Sequence, residues 1–153
     1  MPNGTYGGVR GGLISTYSIE RSYMNKKVKR GQIYRVNLDP VVGSEQGGIR
    51  PVLVVQTDAF NKSSPTVVVM AITSKFDKRR DLATHVIVRC NELPHDSIVL
   101  AEQMRTLDKS RFIEYIGKAS NNTMRRVDHA IDVIAKTKTK HNYYKRYKPN
   151  ERR

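Results

Sequence analysis

Between Pro40 and Gln56 the chain reads PVVGSEQGGIRPVLVVQ, a glycine-flanked polar stretch followed by an arginine at the root of an apolar run. Gly47 and Gly48 can adopt positive φ, which lets such a loop fold over a site or lift away from it. Arg50, standing where loop becomes strand, would be held in a better-fixed orientation than an arginine within a loop. A second polar group closes another apolar run, because Thr73, with Ser74, ends TVVVMAITS. If the two runs are neighbouring strands, Arg50 and Thr73 make an anion site. A guanidinium fork binds phosphate in bidentate fashion and stabilises negative charge that grows in a transition state. Spacing alone equally suits a surface arginine paired with Glu45 or Asp58, and that is the simpler account.

Two further residues carry chemistry of their own. An imidazole such as that of His85 suits base catalysis, although a lone histidine in a strand is more often structural. Cys90, the single cysteine, cannot form an internal disulfide, and its simplest role is that of a small buried residue. No Cys/His cluster has zinc spacing, so no metal or other cofactor is expected.

Short strands must position these groups. Residues 31–38, 50–58, 66–74, 83–90, 97–106 and the FIEYIGKA segment read as strands, with turn-rich loops at 39–48 and a break at NKSSP. Ser120 is the expected N-cap of one helix over NNTMRRVDHAIDVIAK, with Met124, Val127, Ile131 and Ile134 on a single apolar stripe. Strands that do not alternate with helices point to a mainly β (α+β) fold, an antiparallel barrel or sandwich, with a C-terminal amphipathic helix.

With 153 residues there is room for one domain, and 38% hydrophobic residues suffice for a lean core. Lysine and arginine number 28 against 14 acids, a formal charge of +14. Such a surface attracts polyanions through long-range fields and counterion release. Eight basic residues and one acid fall between Lys136 and Arg153, interleaved with Tyr143, Tyr144 and Tyr147. This tail suits contact with unpaired bases, and it equally suits a solvated end. Lys78, Arg79 and Arg80 form a basic loop close after Thr73, suited to contact with a polyanion. Residues 1–27, rich in Gly, Ser and Tyr, read as an extension outside the core. Residues 28–136 then form the domain and 137–153 the basic tail. No apolar run approaches a membrane span and no secretory signal is evident, so a cytoplasmic protein without a membrane partner is expected.

The run RGQIYRVNLDPVVGSEQGGIRPVLVVQTDAFNKSSPTVVVMAITSK, then LATHVIV and DSIVLAEQMRTLDKSR, resembles the MazF/PemK family of toxin–antitoxin endoribonucleases. The GSEQGG-x-RP block and the strand ending in IT-S are the most specific parts. Gln32 stands where that family more often has an acid. The resemblance implies a small SH3-like barrel that forms a homodimer, is neutralised by an acidic antitoxin protein, and cuts single-stranded RNA without metal. The 2′-OH attacks the adjacent phosphate, leaving a 2′,3′-cyclic phosphate and a 5′-OH. By the same resemblance Arg50 and Thr73 are catalytic, and Ser44, Glu45 and Gln46 form a loop over the RNA. Gln103 matches a base-contacting position, with Glu102, Arg105 and Thr106 beside it near the dimer seam. The proton-transfer role is open between Glu45 and the substrate itself, since neither guanidinium nor a threonine hydroxyl is a good base. Two alternatives stand beside this reading: a non-catalytic basic RNA-binding module on the same fold, and a gyrase-poisoning relative. Relatives of the second kind use C-terminal residues including Trp, which this chain lacks.

Overall fold

A computed structural model describes residues 28–75, 82–93 and 96–136. Six strands form one antiparallel sheet: β1 (Gln32–Asn37), β2 (Ile49–Val54), β3 (Thr66–Thr73), β4 (His85–Val88), β5 (Ser97–Asp108) and β6 (Phe112–Lys118). Their spatial order is β4-β5-β3-β2-β1-β6. A short helix, α1 (Asp58–Asn61), interrupts the β2–β3 connection, and α2 (Asn121–Ala135) follows the sheet. The six strands and the last helix agree with the sequence reading. The helical turn α1 does not appear in it, because four residues are too few to show a period.

β2 and β3 are apolar at successive positions because both of their faces are covered. Leu53, Val55, Met70 and Ile72 belong to one buried cluster with Val86, Val88, Val99 and Val127. Val52, Val54, Val67, Val69 and Ala71 belong to a second, with Tyr34, Val36, Leu38, Leu107 and Phe112. Alternate side chains of one strand thus enter opposite cores: the C-terminal helix covers the first through Val127 and Ala130, and the curled sheet itself encloses the second. Its curvature is introduced at breaks in register. β1 shifts against β6 between Ile33 and Tyr34 and again between Arg35 and Val36, while β3 shifts against β5 between Met70 and Ile72. Such irregularities bend a strand and increase its twist.

β4 and β6 remain the two edges, so the barrel is not closed by a ladder; the edges meet through side chains instead. A Cβ on Gly117 of β6 would lie 2.4 Å from the Cys90 sulfur, just beyond β4. Only glycine allows that approach. Cys90 is therefore a seam residue, half-buried rather than enclosed.

The helix α2 begins as expected: the Ser120 hydroxyl accepts the Thr123 N–H at 3.1 Å. Val127 and Ala130 are fully buried, with Met124 and Ile131 packed against the same cluster. Ile134 departs from the predicted stripe and is 44% exposed.

Candidate active site

The loop between β1 and β2 is tied down by its own polar groups. Asp39 accepts the Gly48 N–H at 2.8 Å, Leu38 donates its N–H to the Gly48 carbonyl at 3.0 Å, and Glu45 accepts the Val42 N–H at 3.1 Å. Gly48 takes a positive φ of 77°. Gly47 does not, and its need is different: a Cβ there would meet Val41 at 2.7 Å and Asp39 at 2.8 Å. Close approach, rather than a left-handed backbone, demands glycine at 47.

That close approach serves Arg50. Its Nε donates to the Gly47 carbonyl at 2.6 Å, which fixes the side chain along the loop and leaves the terminal nitrogens for another acceptor. Neither carboxylate suggested by spacing takes it. Glu45 is engaged with Val42, and Asp58 accepts from the Arg30 N–H at 2.7 Å and from the Asn61 amide at 3.2 Å. Among the described residues no ion pair involves Arg50.

β2 and β3 are neighbours, paired Val52 to Ala71, Leu53 to Met70 and Val54 to Val69. The same register continued two residues beyond this ladder sets Arg50 opposite Thr73. Both line one cleft of about 390 Å³, together with Gly47, Gly48, Ser74, Arg35, Ser97 and Glu92. The Thr73 hydroxyl accepts the Lys75 N–H at 3.2 Å, which orients its oxygen at the strand end. Pro51, Ile49, Ile72, Leu93 and Ile116 complete the lining with apolar surface. The cleft therefore combines an unpaired guanidinium, two hydroxyls beside it and an apolar wall, a combination suited to a phosphodiester with an attached base.

The other sequence-designated residues fall around this cleft rather than in it. Ser44 and Glu45 are exposed on the loop. Gln46 is joined to β5, its N–H donating to the Gln103 side chain at 3.2 Å, so loop and β5 act as one unit. Arg105 is directed at the Leu38 carbonyl at 3.3 Å, while Glu102 and Thr106 are exposed on the same strand. His85 bonds Glu102 at 2.5 Å and does not line the cleft. Lys78, Arg79 and Arg80 lie outside the described residues, as do the 1–27 extension and the 137–153 tail.

Arg35, Glu92 and Ser97 are cleft residues that the sequence did not single out. Arg35 sits on a strand whose alternation drew attention to its apolar partners, and it pairs with Glu114 at 2.8 Å. Glu92 lies in a turn and Ser97 at a strand start, where spacing in the chain gives no hint of proximity to Arg50. Glu92 accepts a hydrogen bond from the Cys90 thiol at 2.7 Å. That bond holds the carboxyl below its ordinary range, while burial and then the adjacent carboxylate push the thiol up. Among the described residues there is no group of His, Cys, Asp and Glu placed to hold a metal ion, and no helix long and apolar enough to cross a membrane.

The chain is similar to known proteins in sequence and in fold. Residues 29–135 match the family described as PemK-like, MazF-like toxin of type II toxin-antitoxin system. The chain is 47% identical over 108 residues to an endoribonuclease MazF of Staphylococcus saprophyticus, a match covering 69% of this chain and 89% of that protein. A crystal structure of MazF from Deinococcus radiodurans superposes with a TM-score of 0.63 at 25% identity, covering 72% of this chain and 97% of the other. An endoribonuclease in complex with its cognate antitoxin from a mycobacterial species gives 0.62 at 26% identity, over 74% and 100% of the two chains.

Proposed function

The chain belongs to the PemK-like, MazF-like toxins of type II toxin–antitoxin systems, and from that premise we propose how its cleft cuts RNA. The protein is an endoribonuclease toxin, and its substrate is single-stranded RNA, in the cell mRNA, whose loss stops translation and growth. The observation that carries the reading is the meeting of Arg50 and Thr73 in one cleft, with the guanidinium left unpaired.

The scissile phosphate sits between these two side chains. The ribose 2′-OH attacks it, and charge accumulates on the equatorial oxygens of the pentavalent intermediate. Arg50, pre-oriented by Gly47, stabilises that charge without rearranging during the reaction, which is where fixed donors are most effective. Thr73 and Ser74 hydrogen-bond the phosphate and hold it in line. The products are a 2′,3′-cyclic phosphate and a 5′-OH. No metal takes part in this scheme. Glu45 is engaged with Val42 on the loop, which favours a substrate oxygen as the proton acceptor. The Ser44–Gln46 loop lies over the RNA strand, and Gln103, coupled to it through Gln46, contacts a base.

Two copies of the chain form the working dimer, with Glu102, Arg105 and Thr106 beside the seam. The partner that silences the enzyme is an acidic antitoxin segment, which lies across the basic groove and imitates the charge of the RNA backbone. The protein works in the cytoplasm, where mRNA and antitoxin are both found.

End mapping of defined single strands, incubated with the purified protein in EDTA, tests this directly. Cutting with cyclic-phosphate ends is the expected result. Binding without cutting would instead favour the non-catalytic RNA-binding module.

A further inference from the structure

Glu92 lines the cleft that holds Arg50 and Thr73, yet the scheme above gives it no task. A carboxylate repels phosphate, so its presence calls for a hydrogen-bond donor on the ligand. No cation of the described chain neutralises it: Arg35 is paired with Glu114 and Arg89 with Asp96. Its position is fixed from two sides. The Cys90 thiol donates to Oε2 at 2.7 Å, and the same oxygen lies 3.0 Å from where a Cβ on Gly117 would stand. The exposed carboxylate thus lies over Gly117 of β6 in the cleft lining, an acceptor only.

Its distance from the guanidinium follows from β1. Gly117 pairs with Ile33 on one side of that strand, and Arg50 with Val36 on the other. Three residues separate the two backbone anchors along β1, about 10 Å at the usual rise, and β6 and β2 lie on opposite sides of that strand, so the anchors stand on the order of 14 Å apart. Among the described residues no ion pair joins Glu92 to Arg50, and the interval leaves room for a nucleotide between them. Leu93, next to Glu92 in the chain, and Ile116 of β6 are apolar and line the same cleft. A phosphate held at Arg50 would direct its flanking base along this wall, with the base edge toward the carboxylate.

We propose that Glu92 is a specificity residue that selects, at one position flanking the cut, a base bearing an exocyclic amino group and rejects uracil. The inference rests on the ribonuclease reading of the cleft and deepens it. Cytosine, adenine and guanine each offer an exocyclic N–H₂ donor, whereas uracil has a carbonyl oxygen in that place and only its ring N3–H, flanked by two carbonyls, to offer the carboxylate. Cys90 is the positioning residue, because its thiol stays protonated and holds the acceptor in place.

The test is a set of single-stranded oligoribonucleotides differing only by cytosine or uracil at each flanking position in turn, cut by the parent and by Glu92→Gln. The parent should prefer cytosine at one position by on the order of tenfold. In Glu92→Gln, whose amide can donate to uracil, that ratio should collapse toward one while preferences elsewhere persist. Cys90→Ala should weaken the same preference, and Cys90→Ser, which keeps a donor, should restore it. An unchanged ratio in Glu92→Gln, or an equal slowing on every substrate, overturns the assignment while leaving the ribonuclease reading intact. A parent that cuts none of the oligoribonucleotides overturns both, and the two failures are told apart by the parent alone.

Discussion

Arg50 stands opposite Thr73 two residues beyond the last pair of the β2–β3 ladder, and both side chains open into the same cleft. The relationship is set by strand register, so anything that keeps the sheet paired keeps the two groups together. Arg50→Ala is expected to lower cleavage by about 10²–10³-fold, the usual cost of removing one fixed donor to a developing oxyanion. RNA binding should change only a few-fold, since many other cations attract the backbone. Arg50→Lys should not restore activity, because an ammonium cannot both hold the Gly47 carbonyl and fork onto phosphate. Single-turnover cleavage beside filter binding checks both statements.

Gly47 offers a separate test of orientation. An alanine there places its methyl 2.7 Å from Val41 and 2.8 Å from Asp39, so the loop must move and carry its carbonyl away from Arg50. Gly47→Ala should cost roughly tenfold or more in cleavage while thermal stability falls by only about 1 kcal/mol, a local surface effect. Gly48→Asn should be far milder, because asparagine tolerates positive φ and nothing crowds that Cβ. Equal losses in the two variants would remove the orienting role of the Gly47 carbonyl.

Core and cap should separate in magnitude. Met70, fully buried where β3 meets β5, is expected to lose about 2–5 kcal/mol on Met70→Ala through lost contact and a residual cavity. Ser120→Ala removes one capping bond from α2 and should cost about 1 kcal/mol. Urea denaturation measures both. Comparable losses would mean that α2 contributes more to the fold than its cap and its single buried face imply.

Tyr34 gives the fold a dependence on alkaline pH. Burial, with Tyr115 nearby, pushes its phenol up to about 12 from an ordinary 10. A raised value means that the native state prefers the neutral phenol. The associated stability is complete below pH 10 and is lost as pH rises toward 12. Its hydroxyl also donates to the Gln32 side chain at 2.8 Å. Tyr34→Phe should flatten the decline between those limits and cost about 1 kcal/mol at neutral pH for the missing bond. Phenolate absorbance, followed with unfolding, reports both.

The basic tail is tested through salt. Deletion of 137–153 removes seven of the eight basic residues that begin at Lys136. Loss of phosphate contacts should weaken RNA binding and reduce the slope of affinity against salt concentration. A slope that does not change would mean that the tail makes no contact with RNA.

The strands, the Ser120 cap and the family itself were legible in the chain. Apolar runs bounded by turns are local features, and GSEQGG-x-RP carries its identity in consecutive residues. The pairing of Arg50 with Thr73 could be proposed because each ends an apolar run, but not established. Spacing suits a surface pair with Glu45 or Asp58 equally well, and only the tertiary structure gives those carboxylates other partners. Ile134 shows the same limit from the other side: the helical period assigns it to the buried stripe, yet the core takes in Met124, Val127, Ala130 and Ile131 and leaves Ile134 exposed. Glu92 and Ser97 carry no local signal at all. Ser97 reaches the cleft because β5 pairs with β3 there, Ile98 opposite Thr73, and Glu92 because the curled sheet brings its two edges together at Gly117, a contact that depends on the missing side chain of one glycine.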